Sequence, residues 1–262
     1  NVTIDASCLS IKSGNCIILR GGSDSFHSSK ELVKNIIQSF NEAGLPNHCV
    51  QMIDTPDREA VDYLLGMQNY IDVVIPRGGK GLIEKINSLS KIPVIKHLDG
   101  ICHVFIDKDA DLNIAEKVVF NSKMRRPEIC GAAETLLIDS SIKDKAMRIL
   151  SPLKEANCEI RGDEFIKSLD KNFKIADEND WSLEYLDKIL SVKIVSDVEE
   201  AINHINNYSS GHTESIITNN NETFKNFYNK IDSAIILKNA STQFADGGEF
   251  GFGAEIGIST DK

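Results

Sequence analysis

The sequence has no hydrophobic run long enough to cross a membrane, since none approaches the ~18 to 20 apolar residues that a transmembrane helix needs. No basic segment followed by an apolar one opens the chain, and we expect no secretory leader. Basic residues are in the minority, with 29 Lys and Arg against 39 Asp and Glu and a formal net charge of −10. We therefore expect no membrane partner and no nucleic acid as main partner, although this charge is compatible with a local basic pocket for a phosphate.

The cysteines and histidines lack the spacing of a metal site, and no C-x-x-C pair occurs. The six cysteines are Cys8, Cys16, Cys49, Cys102, Cys130 and Cys158. The sequence therefore favours reduced thiols in a cytoplasmic protein without a bound metal.

Length and periodicity indicate the fold class. A chain of 262 residues, 41% hydrophobic and 26% charged, suits a soluble protein of one large or two ordinary domains. Periodicity predicts strands at 16–19, 50–53, 72–75 and 93–95, and helices at 30–42, 58–65 and 80–89. This alternation predicts an α/β fold with a parallel sheet whose ligands gather at the carboxyl ends of the strands.

The second part of the chain continues the alternation without an internal repeat. Strands are predicted at 103–106, 158–160, 192–195 and 234–237, and helices at 114–123, 143–156, 164–169, 198–205 and 222–230. The asparagines at 219–221 predict a turn and a helix cap. Residues 210–214 are interpreted as a loop at a strand end, where specificity residues often lie.

Cys130 lies among small residues, between a proline turn and an apolar run that is typical of a strand. Such a setting can present a thiolate, the reactive form of cysteine, in a tight pocket near backbone N–H groups. Arg125 and Arg126 precede it and would favour negative charge. Taken alone, the pattern suits a buried structural cysteine better, because free cysteine is among the most buried residue types.

Two glycine-rich segments, at 20–23 and 76–81, follow predicted strands. Glycine lets the backbone approach a ligand closely, and a helix N-terminus attracts phosphate. Neither segment is a G-x-G-x-x-G or Walker A motif, so for each a structural turn is as well supported as a phosphate site. A third segment, 239–257, is rich in glycine and aromatic residues, and a loop of this length is either functional or disordered. Its apolar residues favour an ordered loop.

Taken together, the chain resembles the gamma-glutamyl phosphate reductase (glutamate-5-semialdehyde dehydrogenase) family, a branch of the aldehyde dehydrogenase superfamily. The resemblance is carried by segments 1–6, 18–23, 75–83, 97–104, 126–135, 181–187, 211–214 and 239–260. These segments follow the order of the family across essentially the whole chain. The N-terminal segment and final tail of the family have no counterpart, so we expect an internal fragment.

The resemblance implies an aldehyde-dehydrogenase-like α/β architecture. We expect an NADP-binding domain in residues 1–100, a catalytic domain in 101–245, and a return segment toward the cofactor domain in 246–262. It further implies NADPH-dependent reduction of L-glutamyl 5-phosphate to L-glutamate 5-semialdehyde and phosphate through a cysteine thioester, a step of proline biosynthesis. A cytoplasmic homo-oligomer that binds this small-molecule substrate is implied as well.

The resemblance also assigns roles to individual residues. Cys130 matches the nucleophile, and Asn1 resembles the oxyanion asparagine, for which a plain strand or turn residue is equally well supported. Cofactor contacts are expected from Arg20, Gly21, Gly22, Ser23, Arg77, Gly78, Gly79 and Glu184, and substrate contacts from His212, Thr213, Glu214, Ser241 and Thr242. For Glu184 the alternative is a solvated charge on a helix, because exposed glutamates are common.

One departure from the superfamily pattern is informative. Aldehyde-oxidising relatives carry a glutamate general base where residues 95–100 of this chain have none. A base that activates water would hydrolyse the thioester, so its absence favours a reductase; His97 is interpreted as a structural or substrate contact. Another cysteine-dependent aldehyde dehydrogenase, a catalytically incomplete nucleotide-binding fragment, and a piece of a bifunctional kinase–reductase stay open, as does the preference for NADPH over NADH.

Overall fold

The computed structural model describes residues 2–96 and 98–260, and the chain divides into two compact units. The first unit is Asn1–Lys96 with Ala254–Gly257, and the second is His97–Gly253 with Ile258–Lys262. The functional division at residues 100 and 245 stays a prediction. Two residues with predicted roles, Asn1 and His97, lie outside the described residues.

The first unit contains helices and one short parallel strand pair. Its helices are α1 Val2–Lys12, α2 Phe26–Glu42, α3 Glu59–Leu65 and α4 Lys80–Leu89, and its strands are β1 Ile17–Leu19 and β2 Val50–Met52. A small core around Val33, Cys49 and Val50 joins α2 to the strand pair. The strands predicted at 72–75 and 93–95 are reduced to a single parallel bridge between Val74 and Val94, because Pro76 after the first strand and Pro93 at the start of the second donate no N–H to a longer ladder.

The second unit contains a seven-stranded sheet in which every pairing is parallel. Its strands are β3 Cys102–Ile106, β4 Ala133–Asp139, β5 Glu159–Gly162, β6 Lys174–Ile175, β7 Ile189–Val195, β8 Thr213–Ile217 and β9 Ile235–Lys238. They are arranged in the order β6-β5-β7-β4-β3-β8-β9. The predicted α/β fold with a parallel sheet is therefore confirmed.

Helices cover both faces of this sheet. They are α5 Leu112–Met124, α6 Ala146–Glu155, α7 Glu164–Leu169, α8 Val198–Tyr208 and α9 Asn221–Lys230. One apolar cluster includes residues of α5, α6 and α7, and a second includes residues of α8 and α9. Because helices pack on both sides, the central strands β3, β4 and β8 are buried along their whole length. Among the described residues, no helix combines the length and the apolar character needed to cross a membrane.

Strand β8 corrects the interpretation of residues 210–214 as a loop. Thr213 and Glu214 begin this buried strand, which lies beside β3. The polar residues Thr213, Glu214 and Ser215 hide the strand pattern, yet each is buried and hydrogen-bonded. By contrast, the predicted cap at 219–221 is confirmed, because the side chain of Asn220 accepts the first N–H groups of α9.

Candidate active site

Cys130 lies in the turn that connects α5 to β4, as its sequence setting predicted. Pro127 is buried within this turn, and Ala132 N–H donates to the carbonyl of Ile129 at 2.9 Å. The cysteine itself is half-buried. We call residues 125–132 the Cys130 turn.

Two glycines allow other backbone segments to pack directly against the Cys130 turn. A Cβ at Gly100 would lie 2.2 Å from the carbonyl oxygen of Cys130 and 2.6 Å from its Cα. A Cβ at Gly131 would lie 3.3 Å from the carbonyl oxygen of Thr242. The turn is thus enclosed by backbone, and Gly100 is a position that no side chain can occupy without a shift.

The short helical turn Thr242–Phe244 fastens the Cys130 turn to α5. Gln243 Nε2 donates to the carbonyl oxygens of Ser122 at 2.9 Å and of Arg126 at 3.2 Å. Ser122 Oγ accepts from Thr242 N–H at 3.1 Å and donates to Ser241 Oγ at 3.2 Å. The predicted substrate residues Ser241 and Thr242 therefore lie next to the turn. Sequence reasoning missed Gln243, because a glutamine in a polar segment carries no local signal.

A second cysteine, Cys102, forms a hydrogen bond with the carbonyl oxygen of Cys130. Cys102 is fully buried, and its Sγ donates to the Cys130 carbonyl oxygen at 3.2 Å. Burial raises the pKa of Cys102 well above that of an ordinary thiol, which keeps it protonated and able to donate. His212 Nδ1 lies 3.6 Å from this sulfur and 2.9 Å from Thr213 Oγ1. The predicted substrate residues His212 and Thr213 are both fully buried at this point.

The remaining predicted substrate residue, Glu214, is also fully buried and engaged. Its Oε2 accepts from His103 N–H at 2.9 Å, and its Oε1 accepts from Ser209 Oγ and from Ser233 Oγ. Through these bonds the side chain of Glu214, a residue of β8, links its strand to the backbone of β3. Its contact with substrate stays a prediction, as do those of the other four residues.

Glu184 is brought close to the Cys130 turn through Gly100. Its Oε1 accepts a hydrogen bond from Gly100 N–H at 2.9 Å. Gly100 is the residue whose Cα packs against Cys130. Glu184 is half-buried and lies outside any helix, after the short helical turn Glu178–Ser182. The alternative of a solvated helix charge is therefore wrong.

The two arginines before Cys130 are exposed. Arg125 pairs with Glu249 at 2.6 Å, and its guanidinium carbon lies 5.7 Å from the ring centroid of Phe244. Its charge is therefore partly neutralised. Arg126 contributes its carbonyl oxygen to the bond from Gln243.

A buried ion pair that the sequence did not reveal links the residues on either side of the Cys130 turn. Lys123 Nζ lies 2.5 Å from Glu134 Oε2, and both side chains are fully buried. Burial raises the pKa of Glu134 to about 7, although the charge of Lys123 acts in the opposite direction.

The predicted cofactor residues of the first unit follow β1 and precede α4. Arg20 Nη2 donates to the carbonyl oxygen of Pro56 at 2.6 Å, and Gly22 precedes the short helical turn Ser23–Ser25 and α2. A Cβ at Gly21 would lie 3.2 Å from Met52 Cε. These residues form one backbone corner between β1 and α2.

The second glycine segment leads into α4 without a capping side chain. Gly79 is the residue before α4, and it offers no side chain to cap the first N–H groups. A Cβ added at Gly79 or Gly81 would meet no atom within 4 Å. Arg77 lies two residues before Gly79. Helices α2, α3 and α6 also begin without a bond to the side chain of the capping residue, whereas α5, α7, α8 and α9 begin on an Asp or Asn side chain. The glycines before α4 are compatible with a cofactor phosphate at this helix start, which stays a prediction. Within residues 2–96 and 98–260, no cluster of His, Cys, Asp and Glu is arranged to hold a metal ion.

Comparisons with a family model, with known sequences and with solved structures all match this chain to aldehyde dehydrogenases and gamma-glutamyl phosphate reductases. The model of the aldehyde dehydrogenase family matches residues 1–161. A gamma-glutamyl phosphate reductase from Bartonella tribocorum is 56% identical over 263 residues, which cover 100% of this chain and 64% of the relative. The crystal structure of a gamma-glutamyl phosphate reductase from Thermotoga maritima matches with a TM-score of 0.95 at 44% identity, covering 100% of this chain and 63% of that one.

A more distant solved structure shares the fold alone. An engineered glycolyl-CoA reductase with bound NADP⁺ matches with a TM-score of 0.68 at 18% identity, covering 94% of this chain and 63% of that one. The chain spans less than two thirds of the length of each of these proteins.

Proposed function

The chain belongs to the aldehyde dehydrogenase family, and we propose that its protein reduces L-glutamyl 5-phosphate to L-glutamate 5-semialdehyde and phosphate with NADPH. Whole-chain similarity to gamma-glutamyl phosphate reductases supports this substrate and a place in proline biosynthesis. The observation that carries the proposal is the Cys130 turn, which is packed against the backbone of Gly100 and of Thr242 and holds a half-buried thiol.

In the proposed reaction, the Cys130 thiolate attacks the acyl carbon of the substrate, and the carbonyl oxygen becomes an oxyanion. The backbone N–H of Cys130 is the donor we assign to this oxyanion, with Asn1 as a second. The C–O bond to phosphate breaks, phosphate leaves, and an acyl thioester remains on Cys130. When bound, NADPH supplies the hydride that this thioester needs. Cys130 then leaves as thiolate when the carbonyl of the aldehyde re-forms.

Several residues have proposed roles in cofactor binding. The start of α4, with Gly78, Gly79 and Arg77, would hold the pyrophosphate, since helix N-terminal N–H groups suit phosphate oxygens. The corner of Arg20 to Ser23 would hold the adenosine ribose and its 2′-phosphate. Glu184 would bind the nicotinamide ribose, and its bond to Gly100 N–H orients it for that role. NADP⁺ is bound in the engineered glycolyl-CoA reductase of the same fold.

The chain around Cys130 favours phosphate over water as the acyl acceptor in the reverse direction. No glutamate occurs in residues 95–100, where hydrolytic relatives carry a general base. Without that base, water is not activated against the thioester and the acyl group is kept for phosphate. We further propose that the protein acts in the cytoplasm as a homo-oligomer.

The test is the reverse reaction of the protein at its full natural length, with L-glutamate 5-semialdehyde and NADP⁺, with and without phosphate. We expect NADPH formation that depends on phosphate and that Cys130→Ser abolishes. Cys8→Ser, the same substitution at an exposed cysteine of α1, should keep the parental rate. Phosphate-independent activity would instead indicate a hydrolytic dehydrogenase, and a folded but silent parent would indicate a nucleotide-binding protein.

A further inference from the structure

The buried pair Lys123–Glu134 joins the two ends of the Cys130 turn. Lys123 lies in the last turn of α5 and Glu134 is the second residue of β4, so the pair brackets the turn on both sides. Their charged atoms are 2.5 Å apart, and neither side chain is accessible to solvent. The pair therefore fixes where α5 ends relative to where β4 begins.

The same carboxylate also holds the segment that carries Glu184. Glu134 Oε1 accepts from Leu186 N–H at 3.4 Å, two residues beyond Glu184. Leu186 has a φ of +52°, a conformation that a leucine rarely adopts and that needs support from its surroundings. Leu186 as a whole is 45% exposed, so apolar packing provides little of that support. The hydrogen bond from Leu186 N–H to Glu134 supports this backbone conformation instead.

Tyr185, between these two residues, is held on the same side. Its ring centroid lies 5.9 Å from Lys123 Nζ, and its hydroxyl group lies 2.8 Å from Asp180 Oδ1 and 2.7 Å from Ser191 Oγ. Residues 184–186 are thus anchored to the interior through Tyr185 and Leu186. Glu184 extends from this anchored segment to Gly100 N–H.

The energetics of a buried pair point to a role other than stability. Burying two charges costs desolvation energy, and well-packed apolar residues of similar size often serve stability equally well. What an apolar pair would not supply at this place is the acceptor for Leu186 N–H. We propose that Lys123 and Glu134 are positioning residues that set Glu184 against Gly100 and thereby align it with the Cys130 turn. The catalytic consequence rests on the proposed function of Cys130 and Glu184, but the positioning itself does not.

The experiment compares two variants of the full-length protein. Lys123→Met/Glu134→Leu removes both charges and the acceptor, whereas Glu134→Gln keeps an amide oxygen for Leu186 but leaves Lys123 without a counter-ion. We expect the double variant to keep a Tm within a few degrees of the parent and yet to exchange the Leu186 amide hydrogen at least tenfold faster. Its KM for NADP⁺ should rise about tenfold, with a smaller change in kcat. Glu134→Gln, which keeps the acceptor, should keep both the KM and the exchange rate of the Leu186 amide hydrogen within about twofold of the parent.

Glu199→Gln, which breaks the exposed pair of Glu199 with Lys230 at 2.7 Å, is the matched control and should change none of these values. The proposal is overturned if the double variant exchanges Leu186 at the parental rate, or if it keeps the parental KM while the parent is active. A parent without phosphate-dependent NADPH formation would refute the proposed function instead, and the exchange rates would still decide whether the pair positions residues 184–186.

Discussion

Gly100→Ala is the sharpest single perturbation of the Cys130 turn. The new methyl carbon would lie 2.2 Å from the carbonyl oxygen of Cys130, 2.6 Å from its Cα and 2.7 Å from its carbonyl carbon. All three atoms belong to the backbone, so no side-chain rotation relieves the contact. Real Cβ atoms essentially never approach another heavy atom within 3.0 Å, and the two segments must therefore separate by about 0.8 Å.

A shift of this size has consequences for both stability and rate. Overpacking of a closely packed interior costs about 1–3 kcal/mol. A misplacement of about 1 Å at a reacting group costs on the order of 100-fold in rate. Because Gly100 N–H also donates to Glu184, the same shift moves the proposed cofactor contact together with Cys130, the proposed nucleophile. We therefore expect kcat to fall about 100-fold, while the protein stays folded.

The assay is phosphate-dependent NADPH formation, measured beside thermal unfolding. Gly66→Ala is the matched control, because its Cβ would lie 3.5 Å from the nearest atom, an ordinary contact, at the end of α3. It should retain the parental rate. A Gly100→Ala protein with kcat within twofold of the parent and an unchanged Tm would refute the close packing on which the site description depends.

Three further predictions concern the second unit. Burial raises the pKa of Glu134 in the folded state from 4.5 to about 7. The protonated carboxyl therefore favours the folded state below pH 4.5, and this contribution to the free energy of unfolding, about 3 kcal/mol, is lost as the pH rises to about 7. Urea unfolding between pH 4.5 and 7.5 should show this loss of stability in the parent and not in Glu134→Gln. Gly162→Ala would place a Cβ 2.4 Å from Ile166 Cγ2 and 3.0 Å from the Val192 carbonyl oxygen, so we expect a loss of about 1–3 kcal/mol in urea unfolding, and an unchanged midpoint would contradict it. Asp163→Ala removes the acceptor of Ile166 N–H at 2.9 Å and of Ile194 N–H at 2.8 Å, which should cost about 2 kcal/mol, whereas Asp163→Asn, which keeps one oxygen, should lose about half of that.

Local patterns were sufficient for the elements whose burial follows their own periodicity. Helices α4 and α7 have the bounds that the sequence predicted, because their apolar residues recur at helical spacing. Helix α1 was not predicted, since it has only weak separation of polar and apolar faces and two buried residues, Ala6 and Ser7. Strand β8 was missed because its polar residues are satisfied by groups far along the chain, such as His103 N–H and the Ala240 carbonyl oxygen.

The same distinction explains what could be predicted of the site. Cys130 was noticed because its proline, its small neighbours and the following strand are adjacent in sequence, but its role as nucleophile came from the resemblance to the family and stays a prediction. Its supports are not: Gly100 is 30 residues away by position, and Gln243 lies 121 residues from its partner Ser122. A sequence pattern carries no signal for contacts of this kind, since any glycine or glutamine would look alike.

The carboxylates around Cys130 show why residue type alone is a weak guide to role. Glu134, Glu184 and Glu214 each accept a backbone N–H, from Leu186, Gly100 and His103 respectively. Two of these donors belong to the segment 100–103, so two glutamates order the backbone against which the Cys130 turn is packed. The acidic residues near Cys130 thus hold backbone segments in place, and the nearness of a glutamate to this cysteine is not by itself a sign of a general base.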